Sequence, residues 1–134
     1  MKNNEYTIQI KEHHLDSFGH VNNAVYLALY EEARWELITQ NGYGIEAVRK
    51  YHQGPVVLDV KVRFRKEMIN REFIKIRAFN PTVKGKIMTL EQEMRNEKDE
   101  LCSDAKFTFG FMDLKERKLI TPPDRWLKAM GIED

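Results

Sequence analysis

Cysteine is almost missing from this chain: Cys102 is the single thiol among 134 residues. One thiol can make neither an intrachain disulfide nor a cysteine-rich metal site, and it suits a reducing compartment. Proline is scarce too, with four residues, and alongside 42% hydrophobic content this leaves no compositional sign of disorder. Long apolar runs are lacking. The longest, Ala24 to Tyr30, has seven residues, whereas a bilayer span needs about 20, so no membrane helix is expected. Met1-Lys2-Asn3-Asn4-Glu5 passes straight into alternating residues without an apolar segment, so no secretory signal is expected and the cytoplasm is the expected location. An excess of one charge is absent as well: 22 Lys and Arg against 21 Asp and Glu leave +1, which gives no global reason to expect a nucleic acid or other polyanion as partner. The length suits one ordinary domain and not two, so residues 1–134 are read as a single domain.

What is present is periodic. Tyr6, Ile8 and Ile10 alternate with polar residues, as in a half-buried strand. From Asn23 to Gln40 the spacing turns helical through Val25, Leu29, Ala33 and Leu37, with Asn22 or Asn23 able to cap the start and Asn41-Gly42 supplying a stop. The first half of that helix, AVYLALY, is apolar on every side and is expected to be surrounded by protein. A short helix over Ile45 to His52, ended by Gly54-Pro55, would follow. Everything later reads as strands: Val60, Val62 and Phe64; Ile74, Ile76 and Ala78; Met88, Leu90 and Met94; and Leu101, Ala105, Phe107, Phe109 and Phe111. Breaks are expected at Asn70-Arg71 and Asn80-Pro81, and the four strands as a consecutive antiparallel meander. After Thr121-Pro122-Pro123, Asp124 could cap a last turn carrying Trp126, Leu127 and Met130. Strand, buried helix and a run of strands is an α+β layout, most economically an antiparallel sheet curled around one helix.

The densest polar cluster is Asp16-Ser17-Phe18-Gly19-His20-Val21-Asn22-Asn23, immediately before that helix. First-turn N–H groups have no intrahelical partner and carry partial positive charge, so they can polarise a carbonyl or hold an oxyanion. The plainer reading of the same residues is that both Asn cap the helix, Gly19 makes the turn and Asp16 is a loop acid.

Asp16-x-x-Gly19-His20-Val21-Asn22-Asn23-x-x-Tyr26, followed by Glu31-Glu32-Ala33-Arg34, resembles the signature of hot-dog-fold acyl-thioesterases of the 4-hydroxybenzoyl-CoA thioesterase and acyl-ACP thioesterase group. The likeness runs through the later strands to Leu119-Ile120-Thr121-Pro122-Pro123. It implies a helix wrapped by an antiparallel sheet, with Asp16 as the catalytic carboxylate and the Asn23 backbone N–H directed at the thioester carbonyl. Asp16 would attack the carbonyl or deprotonate a water. His20 resembles an assisting residue of the acyl-ACP branch, with a longer gap after the Asp here, and Gly19, Asn22 and Tyr26 complete the implied substrate contacts. Some relatives use a helix Glu instead, but those lack the loop Asp, so Glu31 is expected to pair with Arg34 and Glu32 to lie on a charged helix face.

Nine Lys and Arg between Lys61 and Lys86 face only two acids, Glu67 and Glu72, within the same stretch. They are either a solvated sheet face balanced by acids on neighbouring strands or a site for the phosphates of coenzyme A. The resemblance points to Lys84 and Lys86, then Arg117 and Lys118, as phosphate ligands. His13, His14 and His20 lack the spacing of a metal site, so neither metal nor other cofactor is expected. Cys102, expected opposite Leu101 and Phe107, reads as an inert strand residue. The expected activity is hydrolysis of an acyl-CoA or acyl carrier protein thioester by a homodimer or homotetramer. The rivals are a non-catalytic acyl-thioester-binding module, a hot-dog hydratase or dehydratase, and a nucleic-acid module. The last would want exposed aromatics among the basic strands, whereas Phe64, Phe73 and Phe79 are expected to face the core.

Overall fold

The computed structural model describes residues 4–132. In chain order the elements are β1 (Glu5–Gln9), a 3-10 turn (Glu12–His14), α1 (Val25–Gln40), α2 (Ile45–Tyr51), β2 (Gln53–Phe64), β3 (Phe73–Lys84), β4 (Ile87–Arg95), β5 (Leu101–Asp113), β6 (Lys118–Ile120) and α3 (Asp124–Met130). The strands form one antiparallel sheet in the order β1-β3-β4-β5-β2, with β6 paired to the end of β5. The expected α+β arrangement of a sheet around one long helix is present.

Alternation places the core. Ile74, Ile76 and Ala78 of β3, Met88, Leu90 and Met94 of β4, and Phe107, Phe109 and Phe111 of β5 are all buried. They meet Tyr26, Leu29, Tyr30, Ala33 and Leu37, which share one face of α1 at i, i+3, i+4, i+7 and i+11. Tyr30 stands edge-on to Phe107 at 5.8 Å, and its hydroxyl hydrogen-bonds Ser103 Oγ at 2.7 Å, so its polar tip is satisfied inside the core. At the far end Asn41 N–H returns to Leu37 O at 3.0 Å and Gly42 turns the chain at φ 105°, the stop that Asn41-Gly42 announced. Leu37 is 1% exposed, so Leu37→Ala should lower the unfolding free energy by about 2–5 kcal/mol in urea titrations and leave the Michaelis constant of any activity alone.

Several expectations need correction. The helix starts at Val25, with Ala24 as its cap residue and no side-chain cap, so Asn23 lies outside it. Only one side of AVYLALY is buried: Leu27 is 43% exposed, because the sheet covers α1 from one side. Gly54-Pro55 does not end α2, which stops at the left-handed His52; both residues lie inside β2. β2 is an edge strand bonded to β5 alone, so a residue lacking N–H fits there. The meander is therefore three strands, β3-β4-β5, and β2 is reached from β3 only across the rest of the sheet. Asn80-Pro81 is a bulge within β3 rather than a break, with Asn80 at φ 52°. Cys102 is buried in the core, because a second bulge opposite Met94 and Arg95 shifts β5 by one residue there. Asp124 is the first helical residue of α3 and Pro123 its cap position. Phe64 and Phe73 are 55% and 50% exposed and Phe79 is half-buried: Phe73 and Phe79 alternate with the buried Ile74, Ile76 and Ala78 and so lie on the other face of β3, while Phe64 ends β2.

Candidate active site

The segment between the 3-10 turn and α1 is pinned at both ends. Leu15 bridges Val21, His20 bridges Ile69, Val21 N–H donates to Met68 O at 3.1 Å, and Asn22 N–H donates to His14 O at 3.0 Å. Within it Asp16 N–H donates to His20 O at 2.9 Å, Gly19 N–H to Asp16 O at 3.1 Å, and Phe18 N–H to Asp16 Oδ1 at 2.9 Å. Gly19 turns at φ 81°, a left-handed value that favours glycine. These contacts fix the Asp16 backbone and one carboxylate oxygen, while Oδ2 has no acceptor duty recorded among the described residues.

Asn22 and Asn23 divide the two roles the sequence left open. Asn22 Oδ1 accepts the Ala24 N–H and Asn22 O accepts the Val25 N–H, both at 2.9 Å, so Asn22 closes the turn into the helix. The Asn23 N–H donates to no acceptor among the described residues. It sits just ahead of the first turn of a 16-residue helix, where aligned peptide dipoles favour negative charge.

Asp16, His20, Val21, Asn23, Tyr26, Phe64, Arg65, Lys66 and Glu67 line one open cleft of about 350 Å³. Four of the expected site residues, Asp16, His20, Asn23 and Tyr26, are thus brought together, with Gly19 and Asn22 in the loop that carries them. Tyr26 is held edge-to-face by Phe64 at 4.9 Å. Burial, reinforced by Cys102, Glu67 and Asp16, pushes its hydroxyl up to about 12, so it remains a neutral donor at physiological pH. Phe64, Arg65, Lys66 and Glu67 were not singled out as site residues. The signal was the loss of alternation after Phe64, where Arg65 and Lys66 both give their N–H to Cys102 O, at 2.9 and 3.1 Å. Arg65 also pairs with Asp104, and Lys66 Nζ lies 3.4 Å from Glu100.

Lys84 and Lys86 are exposed on the β3–β4 turn, and Arg117 and Lys118 lie on the β5–β6 turn. Lys84 is in register with Ile87, which faces Gly110, whereas Phe64 of the cleft faces Ser103. Seven strand residues separate those rows, roughly 23 Å at the usual rise, so a single chain does not bring these four residues to Asp16. Elsewhere the basic stretch is partly balanced across strands: Arg71 pairs with Glu12, and Arg77 with Glu5 and Glu93.

The expected Glu31–Arg34 pair is absent, since Arg34 is buried and donates instead to Gln92 Oε1 at 3.0 Å. Glu32 accepts from the Tyr6 hydroxyl at 2.6 Å. Burial raises the Cys102 thiol to about 11, which keeps it protonated and a poor nucleophile. No group of three or more His, Cys, Asp or Glu able to hold a metal occurs among the described residues, and no helix there is long and apolar enough to cross a membrane.

His14 supports the loop by its carbonyl, and its Nδ1 accepts the Lys11 N–H at 2.9 Å, so the ring must be unprotonated at that atom. Burial first, then the neighbouring His13 and Lys11, hold its pKa below the ordinary value, against an opposing pull from Glu32. A lowered folded pKa means that the unfolded chain binds the proton more readily. The His14 contribution should therefore be intact above roughly pH 6.5 and decline as pH falls below it. Thermal unfolding followed from pH 8 to pH 5 checks this: His14→Gln should flatten that acidic slope relative to the parent chain.

A family profile described as thioesterase-like superfamily matches residues 10–130. The chain is 30% identical over 114 residues to the long-chain acyl-CoA thioesterase FadM of Escherichia coli K12, a match spanning 84% of this chain and 86% of that protein. Among solved structures it is similar to the YbaW probable thioesterase of Escherichia coli, with a TM-score of 0.83 and 26% identity over 97% of this chain and 98% of that one. A Staphylococcus aureus protein solved in complex with CoA shares the fold at a TM-score of 0.87 and 12% identity, over 95% and 80% of the respective chains.

Proposed function

The chain belongs to the thioesterase-like superfamily, and on that footing we propose that it hydrolyses acyl-CoA thioesters, or their acyl carrier protein counterparts, to the free acid and the thiol. The observation that carries this reading is the Asn23 N–H, left without an acceptor at the start of α1 in the cleft that Asp16 also lines. A thioester carbonyl seated there accepts from that N–H, and the helix dipole opposes the charge that develops on its oxygen. Asp16 approaches the carbonyl carbon as nucleophile, giving a mixed anhydride that water cleaves, or it takes a proton from the water that attacks. Either route expels the thiolate, which is protonated to the thiol, and needs no metal or redox cofactor. Tyr26, held neutral, offers a hydroxyl to the substrate.

The site is completed by a second copy of the chain. β2 is an unpaired edge carrying exposed Val57 and Leu58, and the uncovered side of α1 presents Leu27. Two-fold antiparallel pairing through β2 covers that edge and sets the Gln53 end of one copy beside the Phe64 end of the other. The Lys84 and Lys86 turn of one copy then moves toward the Asp16 cleft of its neighbour, where it holds coenzyme A phosphates. The buried thiol of Cys102 suits a cytoplasmic setting.

Lys84→Ala/Lys86→Ala should raise KM for acyl-CoA by roughly 10-fold with kcat much less changed, because remote phosphate contacts act equally in ground and transition states. Acyl-pantetheine, lacking the nucleotide phosphates, should be insensitive to the pair of substitutions. Equal loss on both substrates would remove the phosphate role from these lysines.

A further inference from the structure

Arg34 is a buried cation without an anion. Only 8% of it is exposed, and no carboxylate lies within ion-pair distance of it among the described residues. One guanidinium N–H donates to Gln92 Oε1 at 3.0 Å, and Gln92, itself fully buried, is fixed by donating to Tyr30 O at 3.3 Å. The guanidinium carbon lies 4.2 Å from the Phe107 ring centre and 5.2 Å from that of Phe109. Burial, partly offset by Glu31, lowers its pKa to about 10, so it remains charged at neutral pH. Aromatic faces recover part of the lost hydration of a cation, and a carboxylate recovers more through paired N–H···O bonds.

Arg34 opens on a cavity of about 320 Å³ whose other walls include Trp35, Ile38, Val57, Phe109, Trp126 and Met130, with Glu31 the single acid at its edge; Val57 also belongs to the β2 edge that a second copy would cover, so the cavity adjoins that seam. We propose that this cavity binds a carboxylic acid with an apolar body, the carboxylate pairing with Arg34 and the hydrocarbon filling the space between α1, β2 and α3. Within one chain the cavity shares no lining residue with the thioester cleft. Arg34 lies nine residues beyond Val25, roughly 13 Å along the helix from its start. Two sources fit one chemistry: the far carboxylate of a dicarboxylic acyl group whose thioester sits at Asp16, or a free acid bound beside the substrate.

The chain carries its own reporter, because its two tryptophans, Trp35 and Trp126, both line the cavity. Tryptophan emission of the full chain, titrated with dodecanoate and in parallel with dodecan-1-ol, should show the acid binding at least ~10-fold tighter. Arg34→Met should abolish that preference while leaving the alcohol's affinity unchanged, and Glu31→Gln should tighten the acid by removing a repulsive charge. Equal affinity of acid and alcohol in the parent chain overturns the proposal, whether or not Arg34→Met folds. A preference that survives in folded Arg34→Met overturns it too. Kinetics then separates the sources, each outcome supporting the site. A lower KM for a terminally carboxylated acyl-CoA than for its plain counterpart, lost in Arg34→Met, assigns the acid to the substrate's own tail. Dodecanoate that still binds in the presence of saturating acyl-CoA assigns it to a second molecule. The fluorescence measurement needs no turnover, so failure of the hydrolase reading leaves it intact.

Discussion

Asp16→Asn is expected to lower kcat for thioester hydrolysis by at least ~10²-fold while leaving the melting temperature close to that of the parent chain. The one hydrogen bond recorded for the Asp16 side chain is accepted from Phe18 N–H at 2.9 Å, and an Asn side-chain oxygen can accept the same bond. The loop is held mainly by backbone contacts of Asp16, Gly19, Val21 and Asn22, which the substitution does not touch. A carboxamide, however, can neither attack a thioester carbonyl as an anion nor take a proton from water. The loss therefore falls on chemistry, and burst or single-turnover kinetics should place it after binding. Glu67→Gln is the control: Glu67 lines the same cleft as a carboxylate, and its removal should change kcat far less. If Asp16→Asn retained near-parental turnover, Asp16 would be a loop residue and the hydrolytic carboxylate would have to be sought elsewhere.

The proposed β2 pairing predicts that Leu27→Lys/Leu58→Lys gives a folded monomer whose KM for acyl-CoA is raised by at least the roughly 10-fold expected of the Lys84 and Lys86 substitutions. Leu27 and Leu58 are 43% and 46% exposed in the single chain, so lysine at either position costs the monomer little. In a two-fold pairing of β2 edges the same positions become covered, and placing like charges there opposes association, the device by which edge strands are kept apart. Because the lysines of the β3–β4 turn lie far along the sheet from Asp16 within one chain, the monomer lacks the second copy's contribution to substrate binding. Sedimentation velocity at micromolar concentration, circular dichroism and turnover on the same sample separate the cases. A monomer that is folded and fully active would show that each site is complete within one chain.

Sequence periodicity told which residues face inward more reliably than which strands touch. Ile74, Ile76 and Ala78 could be placed on the core face from alternation alone, because burial on one face of a pleated strand imposes a period of two. Nothing in that period records neighbours, and so β2 was expected beside β3 although it pairs with β5. Pro55 and Pro81 were read as stops because proline removes a ladder donor, yet one sits on an edge and the other beside a bulge, where no donor is missed. Phe64 was assigned to the core by alternation with Arg63 and Arg65, but the strand extends beyond the start of the helix, and the ring packs against Tyr26 at the cleft. The loop from Asp16 to Asn23 stood out as a candidate site because it gathers polar residues before an apolar helix, and it was the resemblance, not the spacing, that set this reading above plain helix capping. Its division of labour was not, since only the fold shows Asn22 occupied by the turn and the Asn23 N–H left over. Arg34 stood in the sequence only as part of the signature and as a partner for Glu31; its burial gave no signal, because an Arg three residues after a Glu on a helix ordinarily marks a solvated pair.

Free-thiol release by the parent chain, followed across a panel of acyl-CoAs of differing length and aromaticity together with an acyl carrier protein thioester, tests the hydrolase activity itself. Enzyme-dependent thiol release with matching free acid is expected on at least one member, at a kcat/KM of about 10⁴ M⁻¹s⁻¹ or more. Release no faster than buffer across the whole panel, with the thioesters still bound and the chain fully folded, would contradict it and leave a thioester-binding protein without hydrolytic activity.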